Sequence, residues 1–211
     1  ILLGLLLVLL FAADLLLGSV SLAAGEVVRV LTGHSSDPQA TTLVTHFRLP
    51  KAVSAIVVGA ALSASGLQMQ TLFRNPLAGP SVLGISSGAS MGVAFVVLLS
   101  GSLGGVALSK LGFMGELALT IAAIAGSLSI MALIVFVSQK VRGNVTLLII
   151  GVMIGYIANA VIGVLKFFSV EEDIRAYVIW GLGSFARVSG NQMTLFICIM
   201  VVLLPLSFLL V

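Results

Sequence analysis

Residues 52–72 carry no charged side chain, and about 20 predominantly apolar residues are what a helix needs to cross a bilayer. The stretch is entered through Phe47-Arg48-Leu49-Pro50-Lys51 and left through Phe73-Arg74-Asn75-Pro76-Leu77-Ala78-Gly79-Pro80. Lipid offers the backbone no hydrogen-bond partners, so a break carrying Asn and two Pro must lie against protein or water. Cations at one end of a span and a proline-broken turn at the other mark the two mouths of something.

The rest of the chain belongs in the same solvent. Hydrophobic residues make up 60% of it and charged residues 8%, against about 25% charged in an ordinary soluble domain. Lipid can accommodate that much apolar surface; the core of a chain this size cannot. The net charge of +3 comes from scattered Lys and Arg, which argues against a nucleic-acid partner, since that needs a concentrated basic face. Cys198 is the single cysteine, so no intrachain disulfide can form. The chain starts at Ile1 and ends at Val211 inside apolar runs, and both ends look cut. With no charged leader before a small-residue cleavage site, the first segment reads as a retained span.

Six apolar segments are expected to span, near 1–20, 51–72, 83–100, 114–138, 145–168 and 192–211. Ser21 to Leu31 reads as a short amphipathic surface helix with Glu26 and Arg29 on its wet side, and Thr32 to Pro38 as a loop. Ser169 to Asn191 reads as a second interfacial helix followed by a glycine turn, with Tyr177 and Trp180 at headgroup level. The expected class is all-α, a polytopic transmembrane helix bundle.

Charge leaves the orientation open. The second and fourth loops hold Arg74, Lys140 and Arg142, while the first, third and fifth, with adjoining span ends, hold Arg29, Arg48, Lys51, Lys110, Lys166, Arg175 and Arg187. A bare count of Lys and Arg puts the second set inside; density in the two short loops argues the reverse.

Two spans carry small residues every fourth position: Gly84, Gly88 and Gly92, then Gly151, Gly155, Asn159 and Gly163. Such faces let helix backbones approach closely, and they also suit the wall of a narrow path, which an amide at Asn159 favours. Asp14, a carboxylate inside the first span, reads as an interfacial group or a proton relay. Lys166 reads as a snorkelling cation.

Several chemistries lack their parts. Gly84-Ile85-Ser86-Ser87-Gly88 has the nucleophile-elbow pattern, but a serine needs a base in reach, and His34 and His46 both precede the second span. Two separated histidines also make a poor metal site. No lysine follows a glycine, so there is no phosphate-binding loop. A secondary transporter built on a proline-broken helix is the main rival reading; it wants a titratable cluster at mid-membrane, for which Asp14 is the sole candidate.

Arg48-Leu49-Pro50-Lys51, Gly59 to Ser63 with Gly66 and Gln70, Arg74-Asn75-Pro76-Leu77-Ala78-Gly79-Pro80 and Leu83-Gly84-Ile85-Ser86-Ser87-Gly88-Ala89 together resemble the permease family of ABC importers for iron-siderophores, haem and vitamin B12. Gly18-Ser19-Val20-Ser21 and Trp180-Gly181-Leu182-Gly183-Ser184 fit the same pattern.

The resemblance implies a single transmembrane permease domain over 1–211, the first six of ten spans, in the inner (plasma) membrane with the first, third and fifth loops outside. It implies separate ATPase subunits carrying ATP and Mg, a substrate-binding protein and a second permease subunit, with no cofactor on this chain and no enzymatic activity of its own. Arg48 and Lys51 match positions that dock the binding protein; Lys51 stands where Arg is usual. Asn75, Pro76 and Leu77 match the cytoplasmic gate, with Asn144 and Thr146 at the corresponding start of the fifth span. Gly84, Gly88, Gly151, Gly155 and Asn159 would border the translocation path or serve packing. Gly79 departs from the acidic residue common in the family.

Overall fold

The computed structural model describes residues 1–102, 113–141, 143–186 and 188–209. Lys110, Arg142 and Arg187, three of the cations weighed for orientation, lie outside the described residues. Among the described residues all regular structure is helical: α1 (Leu2–Leu16), α2 (Ala24–Leu31), α3 (Pro38–Thr42), a π-helical turn (Leu43–Arg48), α4 (Leu49–Phe73), α5 (Ile85–Ser102), α6 (Phe113–Ser138), α7 (Asn144–Phe168), α8 (Glu171–Gly181) and α9 (Gly190–Leu209).

Among the described residues, four stretches are long and apolar enough to cross a membrane: Pro38–Phe73, Met114–Ser138, Val145–Phe168 and Gly190–Leu209. The expected first and third spans are shorter apolar helices, Leu2–Leu16 and Ile85–Leu99. The expected span to residue 20 stops early because Leu17 turns to extended backbone.

The chain divides into two compact units, Ile1–Ala64 with Ser184–Val211, and Ser65–Gly183. In the first, Leu15, Val27, Val30, Ala40, Val44 and Ala52 form the core. The apolar face of α2 is thus covered by protein, with Val27 and Val30 buried and Arg29 exposed and paired to Glu26 at 3.5 Å. Asp37 starts α3 by accepting from the Gln39 amide at 2.9 Å, with Pro38 in the first turn. None of the described residues of α9 is buried.

In the second unit α5 is the central element. It runs antiparallel to α6, with Gly92 beside Ala122 and Gly88 beside Gly126 and Ile130. It runs parallel to α7, with Ser87 beside Gly155 and Val93 and Ala94 in one cluster with Ile162. α8 is the helix expected in the connection after α7. It lies antiparallel along α5: the Ser169 hydroxyl donates to the Leu98 carbonyl at 3.2 Å, and the Tyr177 side chain hydrogen-bonds Ser90. Asp173 and Tyr177, one helical turn apart, are its buried residues.

Candidate functional site

Three places hold the residues singled out above. The first is the start of α4. The π turn is wider than an α turn and shifts the register of the residues before α4, and Arg48, its last residue, turns inward and is 6% exposed. Its Nη1 donates to the carbonyls of Leu15 (2.7 Å) and Leu16 (3.1 Å), and its Nη2 to that of Val20. Lys51 stays at the surface and donates to Asp14 Oδ1 at 2.8 Å. The two cations expected to act alike therefore have different surroundings.

The second place is the turn after α4. Arg74 adopts a left-handed backbone (φ +49). The Asn75 amide reaches back to the Gln70 carbonyl at 3.1 Å and the Arg74 amide to that of Thr71 at 3.2 Å, which is the Schellman pattern of a helix end, with Arg where Gly is usual. The Asn75 side chain accepts from the Leu77 amide at 2.9 Å, and Gln70 Nε2 donates to the Pro76 carbonyl at 3.1 Å. So fastened, the turn buries Ala78 and Leu83 against Leu148 of α7 and leaves Leu77 83% exposed. Asn144 is the first residue of α7, and Thr146 is exposed next to Leu147, which packs on the same cluster. The turn and the start of α7 are thus brought together at one end of the unit.

The third place is the glycine set, and it divides. Gly84 is not on the face of α5; it precedes the helix with φ +73. A Cβ there would sit 2.9 Å from the Gly151 carbonyl oxygen and 3.2 Å from the Gly155 nitrogen. A left-handed conformation and backbone contact leave room for glycine alone. Gly88 and Gly92 instead face α6, where a Cβ on Gly88 would approach the Gly126 carbonyl to 2.7 Å and one on Gly126 would overlap the Gly88 carbonyl. The glycines that matched the serine-hydrolase pattern are thus accounted for by packing. Gly163 has nothing within 4 Å of a built Cβ, and Asn159 is exposed, so the α7 row is engaged only through Gly151 and Gly155.

Asp173, in the first turn of α8, is 7% exposed, and its Oδ2 has no hydrogen-bond partner among the described residues. Burial, and secondarily the adjacent Glu172 charge, raise its carboxyl above the usual range. Lys166 lies 4.8 Å from the centre of the Tyr177 ring, a cation–π contact. No group of three His, Cys, Asp or Glu side chains able to hold a metal occurs among the described residues.

Sequence reasoning missed Gly18 and Gly126. Gly126 had a signal: with Ala122 it forms a small pair at four-residue spacing. Gly18 stood only within the motif Gly18-Ser19-Val20-Ser21, and nothing local gave its role, because the side chain that needs its space is Arg48, thirty positions on.

Residues 5–211 match the FecCD transport family. The vitamin B12 import system permease protein BtuC of Escherichia coli O127:H6 (strain E2348/69 / EPEC) is 36% identical over 184 residues, 87% of this chain and 53% of that protein. BtuC of Escherichia coli O6:K15:H31 (strain 536 / UPEC) matches with the same figures. The chain therefore spans about half the length of these relatives. A solved inward-facing transporter, described as of metal-chelate ABC type, superposes with a TM-score of 0.72 at 27% identity, over 94% of this chain and 57% of that one.

Proposed function

Because the chain belongs to the FecCD transport family, we propose that it forms part of the membrane-spanning permease of an ATP-driven importer. Its cargo is a bulky metal chelate, cobalamin-like or an iron-siderophore or haem complex, received from a substrate-binding protein and passed through a central path by alternating access. The chain contributes a conduit and no chemistry. ATP and its Mg belong to separate ATPase subunits, since no phosphate-binding loop is present. A second permease subunit supplies the other wall of the path, and the assembly sits in the inner membrane as a multi-pass protein.

The observation that carries this reading is the turn at 74–84. Asn75 and Gln70 stiffen it, α7 supports it, and Leu77 projects from it without cover. A rigid, apolar point of this kind suits a gate that closes against a second copy, with Asn144 and Thr146 at the same end of the unit. Of the two expected docking cations, Lys51 presents its charge at the surface, and Arg48 supports it from behind.

Cobalamin uptake into proteoliposomes holding the full-length complex, its ATPase and its binding protein tests the proposal. Uptake should require ATP and survive collapse of the ion gradients. Uptake driven by a gradient without ATP would overturn it in favour of secondary transport.

A further inference from the structure

We propose that Arg48 is a positioning residue whose guanidinium holds the end of α1 against the π turn, and that Gly18 is glycine to make room for it. The clamp stands on geometry alone; only its consequence for docking rests on the function proposed above.

The last carbonyls of a helix lack intrahelical partners and carry the negative end of its dipole. In α1 those of Leu15 and Leu16 both accept from Arg48 Nη1, and the chain then curls so that the Val20 carbonyl accepts from Nη2. The guanidinium reaches these three acceptors from two separate nitrogens, a spread that the single nitrogen of an ammonium does not match. The bond to Leu15 is buried and those to Leu16 and Val20 are part-buried, and all three are charge-assisted. Between Leu16 and Val20 the backbone passes so near the guanidinium that a Cβ on Gly18 would lie 2.8 Å from Nη2, 3.2 Å from Cζ and 3.3 Å from Nε. Gly18 has an ordinary backbone conformation, so the need for glycine here is purely one of space. The Lys51–Asp14 pair ties α1 to the first turn of α4 at the surface, where an ion pair is weak and exchangeable. The two cations thus divide the work: Arg48 fixes the platform, and Lys51 is free to leave Asp14 for a partner's carboxylate.

Gly18→Ala separates this from direct docking, because it keeps both charges and obstructs only the clamp. In the full-length complex in nanodiscs, amide hydrogen exchange over residues 14–17, the last hydrogen-bonded turn of α1, should quicken at least about tenfold in Gly18→Ala and in Arg48→Gln, the scale of losing one charge-assisted hydrogen bond. The double variant should exchange no faster than Arg48→Gln, since the shorter Gln leaves room for the methyl. Affinity for the binding protein should fall in Gly18→Ala and Arg48→Gln with the salt slope retained, whereas Lys51→Gln should flatten the slope.

If Arg48→Gln does not assemble, Arg48→Lys makes the same test: charge and slope kept, exchange quickened. Unchanged exchange in Gly18→Ala would overturn the clamp. A flattened slope in Arg48→Gln with wild-type docking in Gly18→Ala would overturn the positioning role and make Arg48 a direct contact. Absence of any docking to the unaltered complex would sink the proposed function at this site, while the exchange data would still decide the clamp.

Discussion

Lys51 Nζ lies 2.8 Å from Asp14 Oδ1 in an ion pair that solvent reaches from both sides, the two side chains being 47% and 32% exposed. Such pairs contribute about 0–1 kcal/mol, so Asp14 acts as a placeholder for Lys51. Asp14→Asn should change thermal stability little and tighten binding-protein docking by about two- to fivefold, since Lys51 then has no competitor. Weaker docking in Asp14→Asn, by surface plasmon resonance, would count against Lys51 as the docking charge.

The α5–α6 contact predicts a steric threshold. A methyl at Gly126 would overlap the Gly88 carbonyl, and one at Gly92 the Ala122 carbonyl; backbone cannot swing aside as a flexible side chain can. Gly126→Ala and Gly92→Ala should each cost about 1–3 kcal/mol, while Gly163→Ala, with open space around it, should be neutral or slightly stabilising. Detergent melting curves of the three variants check this ordering.

Arg74 holds a left-handed conformation that costs a residue with a Cβ about 1–2 kcal/mol. Arg74→Gly removes that cost and adds unfolded-state entropy, so its melting temperature should rise modestly. Arg74→Val, β-branched at the same φ, should lower it. A drop in Arg74→Gly equal to that in Arg74→Val would show that the side chain, and not the backbone, matters at this position.

Asp173 makes the structure sensitive to acid in an uncommon direction. Its carboxyl titrates above the usual range because burial, then Glu172, disfavours the charged form. The folded state therefore holds this proton to higher pH than the unfolded state. Its contribution favours folding at low pH and is lost as pH rises from the ordinary Asp value through the raised one. Asp173→Asn should stabilise the protein at neutral pH and remove that part of the pH dependence. Melting temperatures from pH 4 to 8 with equal slopes in both proteins would refute it.

Leu77 projects from the turn with 83% exposure, whereas Ala78 beside it is buried. A disulfide between Leu77→Cys on each of two permease copies should stop cobalamin uptake, with recovery on reduction. Full uptake with the link formed would remove Leu77 from the gate.

Much of this was legible along the chain. The turn at 74–80 follows from Asn and Pro, the helices on either side from apolar runs, and family membership from motifs between Arg48 and Ala89. These are local properties, set by backbone chemistry and hydropathy within a few turns. Spacing alone misassigned what each small residue meets. Gly84, Gly88 and Gly92 share a four-residue interval, yet Gly84 precedes the helix and meets α7 while the other two meet α6.

The amino-acid sequence by itself settled that this chain is a set of apolar helices with a stiff, proline-marked break, because hydropathy and turn chemistry act over neighbouring residues. Only the tertiary structure decided that Arg48 faces inward while Lys51 faces out, and that Gly18 exists for Arg48. The reason is physical: where a cation finds its acceptors depends on which distant carbonyls packing brings within 3 Å, and no pattern of neighbours along the chain encodes that meeting.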